Sequence, residues 1–320
     1  MKLLITGGMG VIGSMVSARF VEEGQRPVIM ARHMDRNLIR PIEDKIDIEL
    51  GDVLDLPRIL SIIQTHKITH IIHTAALVGA LSNQNPPQSI HINVIGTLNI
   101  LESARLMKVQ RVVYTSAKGI YGHIEGEYAH PTFKSLPEDH PKRPVRIYES
   151  AKLMSEHMGQ FYQRTYGLEF VALRFSMTYG PGKTVRHGAM SVLSNIVEGA
   201  YAGKAVKIEK GGDQKDDMIY NKDVAYGIYL ACIAPKLRYD AYNIGMGIGY
   251  TLKDVANEVK RIIPKADIQI GGGLHFLGGP AHYYSVYDIT RAREDLGFAP
   301  RFALGKGVED YLETLKKLGL

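Results

Sequence analysis

Cysteine is almost absent from this 320-residue sequence, which contains Cys232 and no other. A single cysteine excludes an internal disulfide, and low cysteine usage is typical of a reducing compartment, so we expect a cytoplasmic protein. Cys232 lies in an apolar run over 228–233. This setting favours a place in the core over a role as a nucleophile.

Long apolar segments are absent too. No stretch approaches the ~20 residues that a membrane-spanning helix needs. The first residues show no basic region, apolar run and cleavage site in series, so we expect neither a membrane anchor nor a signal peptide. Hydrophobic content of 45% and charged content of 22% are instead typical of a soluble globular protein with one large domain or two.

Two further functional classes lack their usual signals. The net charge is +6, but the basic residues are dispersed and no nucleic-acid-binding motif occurs, so nucleic acid is not an expected partner. HExxH and CxxC patterns are missing, and His66, His70 and His73 straddle a break between a predicted helix and a predicted strand. We expect these histidines to pack or hydrogen-bond, and no metal to bind.

What the sequence does contain is a glycine-rich turn at its start. Lys2 to Thr6 is an apolar run typical of a buried strand, and helical spacing of apolar residues begins at Val11. Glycines stand between the two at positions 7, 10 and 13. Strand, glycine turn and helix in this order indicate a dinucleotide-binding unit far more strongly than three glycines alone.

Each glycine of the turn permits a backbone geometry that a side chain would prevent. Gly7 lets the chain turn sharply off the strand, Gly10 lets a pyrophosphate approach the backbone, and Gly13 lets the helix pack closely on the sheet. The free amide groups at the start of the helix, around Val11 and Ile12, then face the phosphates. We predict a dinucleotide cofactor here, with a plain tight turn as the alternative.

The end of the second predicted strand bears on which dinucleotide binds. The strand over 28–30 runs into Ala31-Arg32-His33, with Arg36 nearby and no carboxylate where NAD-binding folds usually have one. A basic residue here favours the 2′-phosphate of NADP(H), so Arg32 predicts NADP(H). NAD(H) stays open as the alternative, with Arg32 then a solvated loop residue.

Strand and helix patterns alternate through the first half of the chain. Further strands are predicted at 46–50, 69–73, 111–115 and 170–175, and helices at 56–65 and 89–108. Such units with short connections predict an α/β fold with a parallel, doubly wound sheet. Ligands of this architecture bind at the carboxyl ends of the strands.

Beyond residue 175 the alternation weakens. Helical patterns at 189–203, 223–233, 251–263 and 307–318 are separated by short strands, glycine pairs and prolines. We predict an NAD(P)-binding domain over 1–175 and a smaller, mixed substrate-binding lobe over 176–320, some of whose segments return to the main sheet. The stretch over 122–146 is predicted to be a long loop, and such loops are often functional.

Tyr148 and Lys152 open a predicted helix after this loop. Residues four apart project from one face of a helix. An ammonium beside a phenol favours the phenolate, so Lys152 is predicted to lower the pKa of Tyr148 and make it a usable acid or base near neutral pH. A Tyr–Lys pair at this spacing is common on helices. Behind a dinucleotide-binding unit it indicates catalysis.

Taken together, the motifs resemble those of the extended short-chain dehydrogenase/reductases, and most closely the NAD-dependent epimerase/dehydratase family. They are GGMGVIG, GDVLD, HTAA, NVIGT, TSAKGIYG and YESAK, followed by LRFSMTYGPG, DMIYNKDVA and DITRAREDLGFAP. The resemblance covers nearly the whole chain. It implies a Rossmann-type fold, hydride transfer between a nicotinamide and a hydroxyl-bearing carbon, and a homodimer built on a four-helix bundle from the helices after Ser89 and Tyr148.

The resemblance also implies roles for single residues. Tyr148 would move the hydroxyl proton, while Lys152 would bind the nicotinamide ribose and keep the tyrosine acidic. Asp52 would contact adenine. Other positions implied to surround the cofactor are Val53, Ala75, Ala76 and Asn93.

Four departures from the family pattern concern the substrate. The usual catalytic Ser or Thr falls on Ala117, so the neighbouring Ser116 is the candidate to replace it. Positions that normally grip a nucleoside diphosphate carry Met177, Asp216 and Gly278-Gly279-Pro280. A diphosphate needs charge-assisted donors, and Asp216 in place of an arginine is predicted to repel it.

These departures predict a small polar substrate that is not linked to a nucleotide. The leading hypothesis is an NAD(P)-dependent oxidoreductase or epimerase acting on a hydroxyl-bearing carbon of a carbohydrate-like or hydroxy-acid substrate. Basic residues that could hold an anionic group of this substrate are Arg143, Arg146, Lys183, Arg186 and His187. Two alternatives stay open: a nucleotide-sugar epimerase or dehydratase with a rebuilt diphosphate site, and a cofactor-binding scaffold or sensor with little catalysis.

Overall fold

A seven-stranded sheet forms the centre of the fold in the computed structural model, which describes residues 1–184, 191–278 and 281–320. Its strands are β1 (Leu3–Thr6), β2 (Val28–Ala31), β3 (Asp47–Leu50), β4 (His70–His73), β5 (Arg111–Ala117), β6 (Glu169–Phe175) and β10 (Ala241–Ile244). Their order is β10-β6-β5-β4-β1-β2-β3, and all neighbouring pairs are parallel. The order of winding reverses between β1 and β4, which is where such sheets bind ligands.

Helices cover both faces of this sheet. In the described residues they are α1 (Val11–Glu22), α2 (Leu56–His66), α3 (Gly79–Gln84), α4 (Pro86–Ile90), α5 (Gly96–Leu106), α6 (Ile147–Tyr166), α7 (Val192–Tyr201), α8 (Asn221–Ile233), α9 (Leu252–Ile262), α10 (Thr290–Leu296) and α11 (Leu304–Leu318). Neighbouring residues of a strand point to opposite faces. Ile5 and Ile72 therefore pack with α1 and α8, while Leu4 and Ile71 pack with α2 and α5 on the other side.

Two smaller sheets follow from the later part of the chain. β7 (Met177–Tyr179), β9 (Asp216–Tyr220) and β11 (Gly249–Tyr250) form a mixed sheet, and β8 (Val206–Ile208) pairs in parallel with β12 (Ile268–Ile270). A separate apolar core around Tyr179, Leu252 and Val308 holds these strands to α7, α9 and α11. This core is separate from the two apolar clusters that cover the faces of the main sheet.

The predicted fold class is confirmed: a Rossmann-type, doubly wound parallel sheet is joined to a smaller mixed one. β10 follows residue 175 in sequence and yet lies at the edge of the main sheet. The division of the chain into domains at residue 175 stays a prediction. The predicted strands and helices are present with small shifts at their ends, and residues 189 and 190 of one predicted helix lie outside the described residues.

Local differences from the predicted elements occur in two places. The helix predicted at 89–108 consists of α4, a π-helical turn (His91–Ile95) and α5. The predicted long loop at 122–146 contains one short 3-10 turn (Gly126–Tyr128) and a single bridge from Leu136 to Tyr287. Single π turns inside helices are frequent at functional sites.

Two expectations concern the interior and the membrane. Cys232 is 1% exposed and lies in the core beside α1, where burial raises the pKa of its thiol, so it is a core residue as predicted. No helix in the described part of the chain is long and apolar enough to cross a membrane.

Candidate active site

A cavity of about 1000 Å³ opens at the carboxyl ends of the central strands. It reaches from the glycine turn at Gly7 and Gly13 to Tyr148 and Lys152 on α6, and we call it the central cavity. Residues about 140 positions apart in sequence thus share one site. The glycine turn and the Tyr–Lys pair, singled out separately in the sequence, are brought together by the fold.

The glycine turn is held by close backbone contacts. Gly7 has a φ of +68°, which favours glycine, and its amide group donates to the carbonyl of Met30 at 2.8 Å. A Cβ atom at Gly7 would lie 2.8 Å from the backbone nitrogen of Ala75, and one at Gly13 would lie 2.2 Å from the carbonyl oxygen of Gly7. Side chains are therefore excluded at both positions by backbone atoms that cannot move aside.

The start of α1 fits a pyrophosphate. Gly10 precedes the helix with no side-chain cap, and the first turn carries no acidic residue. The turn and the first helical residues, Gly10, Val11, Ile12 and Gly13, line the central cavity. Unpaired amide groups at a helix start together with the helix dipole form a ready anion site, so this part of the chain can hold the phosphates of a dinucleotide.

The residues predicted to surround the adenosine end lie along the edge formed by β2 and β3. Arg32 directly follows β2 and is exposed, with no hydrogen bond or ion pair to another described residue. Asp52 follows β3 and accepts the amide of Leu54 at 3.0 Å. Val53 is 6% exposed and packs against Gly96, so its side chain belongs to the core beneath the edge.

The loop after β4 forms one wall of the central cavity. Ala76 lines the cavity, and Ala75 packs against Gly7. Asn93 does not line it: its amide side chain accepts from the backbone nitrogen of Leu77 at 2.8 Å and donates to the carbonyl of Leu77 at 2.9 Å. In this structure both ends of the Asn93 amide hold the loop, and a direct contact between Asn93 and the cofactor stays a prediction.

The Tyr148–Lys152 pair has the predicted placement but not the predicted electrostatics. Burial raises the pKa of Tyr148, and the charge of Glu149 raises it further. Burial lowers the pKa of Lys152 to about 7, and its Nζ donates to the carbonyl of Thr115 at 2.6 Å and lies 5.7 Å from the centre of the Tyr148 ring. The predicted lowering of the Tyr148 pKa is thus wrong here, because burial outweighs a lysine bonded elsewhere.

Ala117 ends β5 and lines the central cavity, so the place of the family hydroxyl has no donor of its own. Ser116 does not supply one. Its hydroxyl donates to Glu156 at 2.5 Å, within a buried cluster where Arg174 also pairs with Glu156 at 2.7 Å. The prediction that Ser116 replaces the catalytic hydroxyl is therefore not supported by its orientation.

The end of the central cavity that is predicted to face the substrate differs from the prediction in its charge. Met177 begins β7 and lines the cavity, as does Asp216 at the start of β9. Asp216 is 1% exposed and forms a buried ion pair with Lys118, and the backbone amide of Ser285 donates to it at 3.0 Å. The expectation that Asp216 repels an anion is wrong in this structure, because Lys118 balances its charge.

Of the basic residues predicted to bind an anion, two lie in the central cavity. Arg146 and Lys183 line it, and burial lowers the pKa of Lys183 to about 8. Arg143 is exposed and does not line it. Arg186 and His187 lie outside the described residues, as do Gly279 and Pro280.

Two charged cavity residues were missed by sequence reasoning. Lys118 stands in the quoted motif TSAKGIYG and Glu149 in YESAK, but neither was singled out. Both are charged and buried, at 8% and 7% exposure. Their partners or packing neighbours, Asp216 and Gly119, come from other elements, so only the presence of a charge inside a motif could have drawn attention to them.

The histidines noted in the sequence have structural partners. Both ring nitrogens of His73 are hydrogen-bonded, Nδ1 to the hydroxyl of Thr6 at 2.6 Å and Nε2 to that of Thr97 at 3.1 Å. Burial and the nearby Lys152 lower the pKa of His73 to about 3, so the ring is neutral. Among the described residues no group of His, Cys, Asp and Glu has the arrangement of a metal site.

Comparison with known proteins agrees with this geometry. The model of the NAD dependent epimerase/dehydratase family matches residues 3–245. The UDP-glucose 4-epimerase of Halalkalibacterium halodurans is 30% identical over 94% of this chain and 91% of its own length. The dTDP-glucose 4,6-dehydratase of Escherichia coli is 27% identical over 96% and 91%, respectively.

A solved structure shows the same fold. The UDP-glucose 4-epimerase of Thermotoga maritima, determined with UDP-glucose, superimposes with a TM-score of 0.84 at 25% identity and covers 100% of both chains. The sheet order, the glycine turn and the match to the family model over most of the sequence lead to one conclusion: this chain belongs to the NAD dependent epimerase/dehydratase family.

Proposed function

We propose that this protein moves a hydride to or from a hydroxyl-bearing carbon of a small polar substrate, with Tyr148 as the proton-transferring group. The observation that carries the proposal is one cavity lined by both the glycine turn and the Tyr148–Lys152 pair. A bound nicotinamide dinucleotide supplies the hydride acceptor or donor. The amide groups at the start of α1 would hold its phosphates, and Lys152 its ribose.

The protonation states favour reduction over oxidation. Because burial raises the pKa of Tyr148, its phenol keeps its proton at neutral pH and can donate it to the oxygen of a carbonyl substrate. Lys152, with a pKa of about 7, is the member of the pair that changes charge near neutral pH. Its ammonium form favours the phenolate that remains after the proton has moved.

The family is NAD dependent, and within it we propose a preference for NADP(H). Arg32 supports this: it is exposed at the end of β2, where a 2′-phosphate would lie, and Ala31 occupies the preceding position.

We expect Arg32→Asp to lower the affinity for NADP⁺ by about 10- to 100-fold, the contribution of one charge-assisted hydrogen bond, without lowering the affinity for NAD⁺. Arg36→Gln is the control, since Arg36 pairs with Glu43 at 2.5 Å. A wild type that binds NAD⁺ more tightly than NADP⁺ in titration calorimetry contradicts the preference.

For the substrate we propose a carbohydrate-like or hydroxy-acid compound without a nucleotide. Met177 brings no charge or hydrogen-bond donor to the place where a diphosphate would be gripped, and the ammonium of Lys118 is bound to Asp216. The remaining cationic side chains of the described cavity wall, Arg146 and Lys183, suit one carboxylate or phosphate.

A second candidate is a nucleotide-sugar epimerase or dehydratase. It is favoured by the names of the relatives, which act on UDP-glucose and dTDP-glucose. Turnover decides between the two candidates. Reduced nicotinamide is followed by absorbance with NADP⁺ or NAD⁺ and a panel of UDP-glucose, dTDP-glucose, glucuronic acid and L-threonine. Epimerised and dehydrated products are detected by mass spectrometry and NMR. Turnover confined to the nucleotide-linked compounds would overturn the proposed substrate class.

We also propose that the protein is a homodimer through α5 and α6. Large apolar side chains are exposed along these helices and the π turn before them: Ile95 at 41%, Leu106 at 48%, Met154 at 51% and Phe161 at 49%. Exposed apolar patches on helices mark interaction sites. Sedimentation of Met154→Glu should give a monomer where the wild type gives a dimer. Leu54→Glu, at an exposed apolar residue outside this surface, is the control.

A further inference from the structure

The central cavity lacks one hydrogen-bond donor that its chemistry calls for. A substrate oxygen that gains negative charge during hydride transfer is stabilised by preorganised donors. Tyr148 is one such donor, and Ala117 provides none where the family has a hydroxyl. Another group of the central cavity would therefore have to donate to this oxygen.

Three candidate groups of the cavity are already bonded. The hydroxyl of Ser116 donates to Glu156, and the ammonium of Lys118 is paired with Asp216. The ammonium of Lys183 donates to the carbonyl of Thr178. The hydroxyls of Ser176 and Tyr283, by contrast, have no hydrogen-bond partner in the described part of the chain. Ser116, Lys118 and Lys183 would therefore each have to give up a partner to reach a substrate, whereas Ser176 would not.

Glu149 is the unpaired group that follows Tyr148 directly in sequence and lies against the segment that carries Ala117. It is 7% exposed and lines the central cavity, and its Oε2 has no hydrogen-bond partner. It forms no salt bridge with another described residue. Its carboxyl group lies against Gly119, two residues after Ala117. Buried carboxyl oxygens without a partner are rare in folded proteins and point to a ligand or a catalytic role.

The place of Glu149 is made by a glycine. A Cβ atom at Gly119 would lie 2.3 Å from Cγ and 3.1 Å from Oε1 of Glu149. Any side chain at position 119 would therefore displace the carboxyl group. Ala117, which lacks the family hydroxyl, and Gly119, which makes room for the carboxyl group of Glu149, are two residues apart on the same short segment.

We propose that Glu149, as a neutral carboxylic acid, is the second donor to the substrate oxygen and takes the place of the hydroxyl that Ala117 lacks. The inference rests on the proposed function and specifies its oxyanion site. The O–H group of Glu149 forms a hydrogen bond to the oxygen on which charge develops. The proton stays on Glu149, while Tyr148 transfers its own.

The surroundings of Glu149 favour the neutral acid. Burial raises the pKa of this carboxyl group and exceeds the opposing effects of its own backbone amide and of Arg146. The other titratable groups that sense its charge are Tyr148 and Tyr283, both of whose pKa values it raises. A neutral Glu149 therefore places no negative charge beside Tyr148 that would raise the pKa of its phenol further. A buried carboxylic acid kept neutral as an oxyanion-hole donor is known chemistry in another enzyme.

Infrared difference spectroscopy tests the protonation state without a substrate. The spectrum of the wild type minus that of Glu149→Gln, at neutral pH, should show the carbonyl-stretch band of a protonated carboxylic acid. The subtraction removes the bands of other buried acids such as Asp216 and Asp217. A carboxylate band in its place overturns the inference, whatever the enzyme turns over.

Variants test the role in turnover, using the panel compound that the wild type converts. Glu149→Ala should lower kcat by about 10²–10³-fold, the effect of removing one oxyanion donor. Glu149→Gln keeps an N–H donor and should stay within about tenfold of the wild type. Adding Ala117→Ser to Glu149→Ala should restore part of the lost kcat, because it returns a hydroxyl to the same oxygen.

Two results of the variant experiments would overturn the inference. An inactive Glu149→Gln would show that Glu149 transfers a proton, and an unchanged Glu149→Ala that it makes no contact with the oxygen; either overturns the inference. Cofactor titration shows whether each variant is folded. Failure of the proposed function looks different, since the wild type then converts no panel compound while the infrared result still decides the state of Glu149.

Discussion

The two proposed sides of the central cavity, one for the cofactor and one for the substrate, are built from different parts of the polypeptide. The cofactor side is built from backbone: amide groups at the start of α1, the φ of Gly7 and the lack of room at Gly13. The substrate side is built from side chains that reach across elements, such as Lys118 to Asp216, 98 residues away. A few adjacent residues determine the backbone geometry of the glycine turn. The buried ion pair forms only after the fold has brought two distant residues together.

This difference determines how readily each side can be recognised in the sequence. A pyrophosphate site made of backbone has few substitutable atoms, so it is recognisable in the sequence. A site made of paired side chains changes its charge when one residue and its distant partner change together. Met177 and Asp216 lie on the side that is built from side chains.

The largest expected effect separates catalysis from cofactor binding. Tyr148→Phe removes the proton donor and should lower turnover by about 10²–10⁴-fold, the usual contribution of general acid catalysis. Cofactor affinity should stay close to that of the wild type, because the phosphates bind on the glycine turn. Steady-state kinetics and cofactor titration of the same preparation measure both. Equal turnover by the two proteins would remove Tyr148 from the mechanism.

The next effect tests whether the substrate side depends on its buried pair. Asp216→Asn leaves the buried ammonium of Lys118 without a counter-charge and should lower the free energy of unfolding by about 3–5 kcal/mol. Asp213→Asn is the matched control, because its pair with Lys253 is about half exposed, and should cost about 1 kcal/mol or less. Urea unfolding of both variants gives the comparison. Equal losses would mean that Asp216 is not held as described.

A smaller effect is expected on the cofactor side. Gly13→Ala forces a methyl group against the carbonyl oxygen of Gly7, and overpacking of this kind costs about 1–3 kcal/mol. Dinucleotide affinity should fall with it, since the turn has to open. Gly24→Asn, beyond the other end of α1 with nothing near its Cβ position, should change neither quantity much. Thermal unfolding with and without NADP⁺ measures both quantities. Stability and affinity equal to those of the wild type in Gly13→Ala would contradict the tight turn.

A further expected effect is a change of stability with pH. The ordinary pKa of a lysine is 10.5, and burial lowers that of Lys152 to about 7. Between these values the unfolded chain holds the proton and the folded protein does not, so stability should rise as the pH increases from 7 to 10.5. Lys152→Met should lack this rise. Unfolding free energies of both proteins across this range test it, and parallel curves would place the lysine in water instead.

The same contrast describes what could be predicted from sequence. The strand–glycine–helix unit, the parallel sheet and the spacing of Tyr148 and Lys152 follow local rules of periodicity and turn geometry, and they are present as predicted. The state of Tyr148 was not predictable, because burial in the cavity, and not its neighbour four residues on, sets its pKa. Nor could the sequence show that Asn93 bonds Leu77 or that Ser116 bonds Glu156.

A crystal structure of the protein with NADP⁺ tests the central claim most directly. The account predicts the pyrophosphate on the amide groups at the start of α1, and the phenol oxygen of Tyr148 beside the nicotinamide ring with room for one substrate oxygen between them. A dinucleotide bound away from the glycine turn, or a nicotinamide ring out of reach of Tyr148, would contradict it.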